Sequence, residues 1–165
     1  MGAAKPPDFQ LLLQKHAGIL HKIIRLYVDD PEDRRDLRQE MLYEAWRAYP
    51  RFRGEAAFST WLYRVALNTA LTFRRKALRR PVTTDLDGVR QLPADPPESL
   101  SPQAELLYRA IRELPEADRA IITLHLDGYE NEAIADITGL TKNHVAVKLH
   151  RIKTALENRL TNREA

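Results

Sequence analysis

Three groups of side chains in this chain have the types and spacing to bind a polymer surface, and none has the arrangement of a catalyst. The first lies in 141–154, where Asn143, Val147, His150, Arg151 and Thr154 fall on one side of a helical stretch flanked by Lys142, Lys148 and Lys153. Amide, imidazole and guanidinium groups hydrogen-bond base edges, lysines neutralise phosphates, and Val147 suits a thymine methyl. The second is the segment YPRFRGEAAF at 49–58, followed by Trp61, Arg64, Asn68, Thr72 and Arg75 at helical spacing. Aromatic rings and Arg planes beside a basic groove stack unpaired bases, and a pocket with a polar lining holds a base turned out of the duplex. Phe52 can supply the wall of such a pocket, with Arg53 beside it, and Asn68 its hydrogen bonds. Trp61 and Phe58 suit a packed core as well. The third is an acidic and aromatic stripe, Asp36, Glu40, Tyr43 and Arg47, with Asp33, Gln39 and Glu44 nearby. It can dock a basic protein surface, and it equally suits a solvated helix face. Arg38 falls toward the core side of the same helix.

Catalytic chemistry finds no support. The sequence has no phosphate-cradling glycine loop, no H-E-x-x-H metal site and no nucleophile–base pair, and its five histidines are scattered. Zero cysteines exclude disulfides, thiolate metal sites and cysteine nucleophiles. No catalytic residue, bound metal, cofactor or small-molecule substrate is expected.

The elements that must position these groups are helices. Asp30-Pro31-Glu32-Asp33 places a cap, a first-turn proline and two acids at the start of a helix predicted to reach Ala48. Before it, Phe9 to Val28 reads as one amphipathic helix; after it, Ser59 starts another, to about Arg80. Ser101-Pro102 and Leu114-Pro115 open two more. In the last part, Ala133, Ile134 and Ile137 give a short helix its apolar face, and Gly139 supplies the left-handed residue that ends it. Thr141 caps the next helix, and Val145, Leu149, Ile152 and Leu156 form its buried stripe. Two helices joined by such a turn can set the second into a DNA major groove. No period-2 strand is legible, so the fold class is all-α.

Charge is more telling by segment than in total. The 165 residues carry a net +3, yet 104–140 hold three Arg against eight acids (−5), and 141–163 hold six Lys or Arg against one Glu (+5). The positive end would face phosphates. Arg74, Arg75, Lys76, Arg79 and Arg80 add a basic run. An apolar content of 44% suffices for packed cores, 30% charge fits a soluble protein, and no apolar run is long enough to span a bilayer. The first ten residues lack the apolar core of a secretory signal. A reducing cytoplasm is the expected compartment.

Five of the ten prolines fall between Pro81 and Pro102, with four acids against Arg90 alone. This segment, 81–102, reads as an extended acidic tether between two small helical domains, 8–80 and 103–163.

FRGEAAFSTWLYRVALNTALTFRRK, preceded by DRRDLRQEMLYEAW, resembles region 2 of a bacterial sigma factor, and LPEADRAIITLHLDGYENEAIADITGLTKNHVAVKLHRIKTAL resembles region 4. Two such blocks joined by a short linker are similar to the extracytoplasmic-function (group IV) type of the sigma-70 superfamily. The chain departs from the common pattern at Leu67, where Arg is frequent, at Thr72, where Asp is, and at Lys142-Asn143-His144, where Gly-Thr is usual.

The resemblance implies a factor that binds RNA polymerase core and directs promoter-specific initiation, with an anti-sigma factor as a further partner. Asp33, Asp36, Gln39, Glu40 and Tyr43 would dock on the core. Phe52, Arg53, Trp61, Arg64, Asn68 and Arg75 would bind the melted −10 element. Lys142, Asn143, His144, Val147, Lys148, His150 and Arg151 would bind the −35 duplex, and the tether would thread the polymerase channels. An autonomous helix-turn-helix regulator is the alternative; it would use the same C-terminal unit but need a dimer or effector domain, and the acidic docking stripe argues against it.

Overall fold

A computed structural model describes residues 8–77 and 100–164, and all of its regular structure is helical. The helices are α1 (Phe9–Lys15), α2 (Ala17–Tyr27), α3 (Pro31–Ala48), α4 (Phe58–Ala77), α5 (Pro102–Arg112), α6 (Glu116–Leu126), α7 (Asn131–Thr138) and α8 (Lys142–Glu164), with a 3-10 turn at Tyr49–Arg51. They form two compact units, α1–α4 and α5–α8. Residues 81–99, most of the acidic tether, and Arg79 and Arg80 of the basic run lie outside the described residues.

In the first unit α4 packs on both α2 and α3. Leu20, Ile23, Leu26, Leu37, Met41, Leu62 and Tyr63 make its fully buried centre. α3 begins as its sequence dictates: the backbone N–H groups of Glu32 and Asp33 donate to Asp30 Oδ1 at 2.8 and 3.1 Å, with Pro31 in the first turn. Asp30→Ala is expected to cost about 1 kcal/mol of stability, read as a lower urea midpoint with an unchanged slope.

The stretch from Phe9 to Val28 is two helices rather than the single one expected. The break falls at His16, whose φ of −112° and ψ of 15° leave the helical region. Its ring is held 5.4 Å from that of Phe58, and Gly18 follows, a residue that weakens a helix interior.

In the second unit α6, α7 and α8 pack on one another and α5 packs against α8. Ile121, Leu124, Ile134 and Val145 are its fully buried residues. Gly139 ends α7 at φ 77°, where a side chain would be strained. The His144 N–H then donates to Thr141 Oγ1 at 3.2 Å, which caps α8. Val145, Leu149, Ile152 and Leu156 are all buried, so the stripe read from their spacing holds α8 against its neighbours. The buried Arg119 donates from Nε and Nη2 to the Leu114 carbonyl at 3.2 and 3.1 Å, closing the turn between α5 and α6. No described helix is long and apolar enough to cross a membrane.

Candidate nucleic-acid and polymerase interface

α4 has two opposite faces. Leu62, Tyr63, Ala66, Leu67, Thr69 and Ala70 are buried, while Arg64, Asn68, Thr72 and Arg75 form an exposed row. Thr69 stays buried because its hydroxyl donates to the Val65 carbonyl at 2.7 Å. Trp61, at the start of the row, is half-buried in a cluster of rings.

That cluster organises the loop before α4. Phe52 stacks on Tyr49, with centroids 6.0 Å apart and planes at 19°, and lies 5.3 Å from Trp61. Tyr49 also meets Phe9 at 4.8 Å, and Phe58 meets Trp61 at 5.3 Å. The Phe52 N–H donates to the Tyr49 carbonyl at 2.9 Å, which fixes the bend. Phe52 is therefore a half-buried member of a ring stack. Arg51, Arg53 and Gly54 are exposed around it. Phe52 and Trp61 come together, whereas Asn68 lies two helical turns beyond Trp61, about 10 Å of rise.

On α3, Asp33, Asp36, Gln39, Tyr43 and Arg47 are exposed and Glu40 is half-buried. Arg47 Nε lies 3.9 Å from Glu44. Arg38 is half-buried on the flank, and burial lowers its pKa by disfavouring the charged form. Trp46 extends the stripe and was not singled out from the sequence: it is 62% exposed, its ring meeting Phe9 edge-on with centroids 5.6 Å apart. Its spacing from Gln39 and Tyr43, at i+7 and i+3, is the signal that could have found it.

α8 presents Lys142, Asn143, His144, Ala146, Val147, His150 and Arg151 to solvent. Val147 is 51% exposed, an apolar side chain at the centre of a polar face. Lys148 differs from the rest of the expected set: it is half-buried, and its Nζ lies 3.0 Å from Asp118 Oδ1 on α6. No pattern along the sequence marks that pairing. Among the described residues, no cluster of metal-ligating side chains occurs.

Comparison with known proteins matches this geometry to one family. Residues 12–80 match the family model of sigma-70 region 2, and residues 104–156 that of sigma-70 region 4. The chain belongs to the sigma-70 family, the promoter-directing subunits of bacterial RNA polymerase. Within it the relatives are of the extracytoplasmic-function (ECF) type. The ECF RNA polymerase sigma-E factor of Escherichia coli K12 is 34% identical, over 92% of this chain and 86% of that protein. That of Haemophilus influenzae is 33% identical, over 92% and 87%. The fold is shared with the sigma factor RpoE solved with the anti-sigma factor NepR from Bartonella quintana, at TM-score 0.69 and 24% identity, covering 92% of this chain and 95% of that one. It is shared also with CnrH, solved with the cytosolic domain of CnrY, at TM-score 0.66 and 20% identity, covering 93% and 88%.

Proposed function

We propose that this sigma factor divides promoter recognition among three surfaces. The α3 stripe, Asp33, Asp36, Gln39, Glu40 and Tyr43 with Trp46 at its end, docks on polymerase core. Phe52, Arg53 and Trp61, with the α4 row Arg64, Asn68 and Arg75, take up the melted −10 strand. The outer face of α8 reads the −35 duplex. The observation that carries this is that each unit offers one exposed basic, hydrogen-bonding helix face backed by a buried stripe, on α4 and on α8.

The mechanism is a shift of equilibrium. Duplex contacts by α8 position the complex but favour neither closed nor open DNA at the −10 site. Contacts to an unpaired base exist only after strand separation, so their free energy belongs wholly to the open state. The polymerase makes RNA and this chain makes no bond, which fits a non-enzymatic, cytoplasmic factor. An anti-sigma protein is the partner that would hold it inactive, as NepR is the partner in the solved RpoE complex.

The test is run-off transcription with bacterial core polymerase on a promoter library. Enrichment of one two-part promoter is the expected result, and transcription independent of this chain would refute the reading. Charge reversal at Asp36 and Glu40 separates docking from DNA contact. Core affinity in a competition assay should fall on the order of ten-fold or more, with helix content by circular dichroism unchanged. Asp36 is the cleaner position, being the more exposed of the two.

A further inference from the structure

We propose that Asp118 is a positioning residue which keeps Lys148 away from DNA and, through it, fixes the rotational setting of the recognition helix. The inference rests on the reading of α8 as the −35 helix. Lys148 Nζ donates to Asp118 Oδ1 at 3.0 Å, joining α8 to the first turn of α6 across thirty residues of sequence. The two side chains keep 29% and 22% of their exposure, so the pair is largely withdrawn from water. The Arg159–Glu113 pair on the same helix, at 38% and 44%, is the more solvated of the two. Screening by salt weakens an exposed pair far more than a half-buried one.

Geometry separates Lys148 from the reading face. Asn143, Val147, His150, Arg151 and Thr154 are exposed around a line through Val147. Lys148 precedes the buried Leu149 and is turned roughly 100° from Val147 about the helix axis. A lysine at this edge has two competing partners, the carboxylate behind it and a phosphate in front, and its flexible stem can reach either. With Asp118 present the charge is neutralised inside the unit, so this lysine releases no counterion when DNA binds. Buried Val145 and Leu149 set the depth of α8, and the ion pair beside them opposes its rolling about its own axis. The base-reading set is then Asn143, Val147, His150 and Arg151, held at one angle.

The test uses the full-length chain on a short duplex of scrambled sequence, with affinity followed against salt. Lys148→Gln is expected to leave the slope of log affinity against log salt unchanged. Asp118→Asn should free Lys148 and steepen the slope by about 0.9, the value for one added phosphate contact. The double variant should return to the wild-type slope, which distinguishes a freed lysine from the mere loss of a nearby negative charge. In the assembled holoenzyme, discrimination between a transcription-selected −35 duplex and the scrambled one should fall several-fold for Asp118→Asn. Asp118→Glu, which keeps the carboxylate, should retain it. All variants are compared where circular dichroism finds them folded. A shallower slope for Lys148→Gln, or Asp118→Asn indistinguishable from wild type, would overturn the proposal. A wild-type holoenzyme that fails to discriminate between the duplexes overturns the reading of α8 itself and the proposal with it.

Discussion

Asn68→Ala and Phe52→Ala are expected to lower the ratio of open to closed promoter complexes while leaving initial binding nearly intact. A stacked base is worth about 1–3 kcal/mol, so the Phe52 variant should shift opening by roughly five- to 150-fold. Asn68 is the cleaner probe because it is exposed, whereas Phe52 also stacks on Tyr49 and touches Trp61. Loss of its hydrogen bonds to a captured base should cost on the order of 1 kcal/mol or more. Permanganate reactivity on duplex and on premelted −10 templates measures the difference. On the bubble, the variants should also lose sensitivity to abasic substitution of the captured bases. Defects of equal size on duplex and bubble that ignore the abasic sites would remove Phe52 and Asn68 from base capture. Arg151→Ala should behave oppositely, weakening initial binding according to the −35 sequence.

A second large effect is expected from Leu124→Ala. Leu124 is fully buried on α6, which packs against both α7 and α8. Truncation leaves a cavity at that junction and should cost about 2–5 kcal/mol, a large share of what a small helical unit has to spare. The α1–α4 unit has its own buried centre, so core binding should survive. Calorimetry should give a lowered transition for α5–α8 beside an unchanged one for α1–α4. Recognition of −35 DNA should be lost at temperatures where core affinity persists. A single transition shifted as a whole would mean that the two units melt together.

What the sequence made legible was local. The buried stripe of α8 follows from four apolar residues at helical spacing, while Asp30-Pro31 suits a helix start and Gly139 accepts the left-handed conformation that ends one. The exposed row on α4 was equally readable, since periodicity that marks a buried side marks its opposite. Contacts between distant residues were not. His16, at the break in the first helix, meets Phe58, forty-two positions on, and Lys148 looks like any basic residue on a DNA-facing helix until Asp118 is placed beside it. That the Tyr49 ring backs Phe52 is likewise announced by nothing in 49–58. Periodicity reports which side of a helix faces inward, and it is silent on which partner waits there.

The ring cluster around Phe52 has a spectroscopic side. The chain has only two tryptophans, Trp46 and Trp61, and both lie within it, one beside Phe9 and the other beside Phe52. Indole emission therefore comes entirely from the α1–α4 unit, and the α5–α8 unit, which has tyrosines but no tryptophan, contributes none of it. Trp46, largely in water, should emit at longer wavelength than the half-buried Trp61, so one spectrum carries two signals. A base stacking at Phe52 would quench the bluer one, and a protein covering the end of α3 would shift the redder one. The intact, unlabelled chain thus carries separate optical channels for its two proposed encounters.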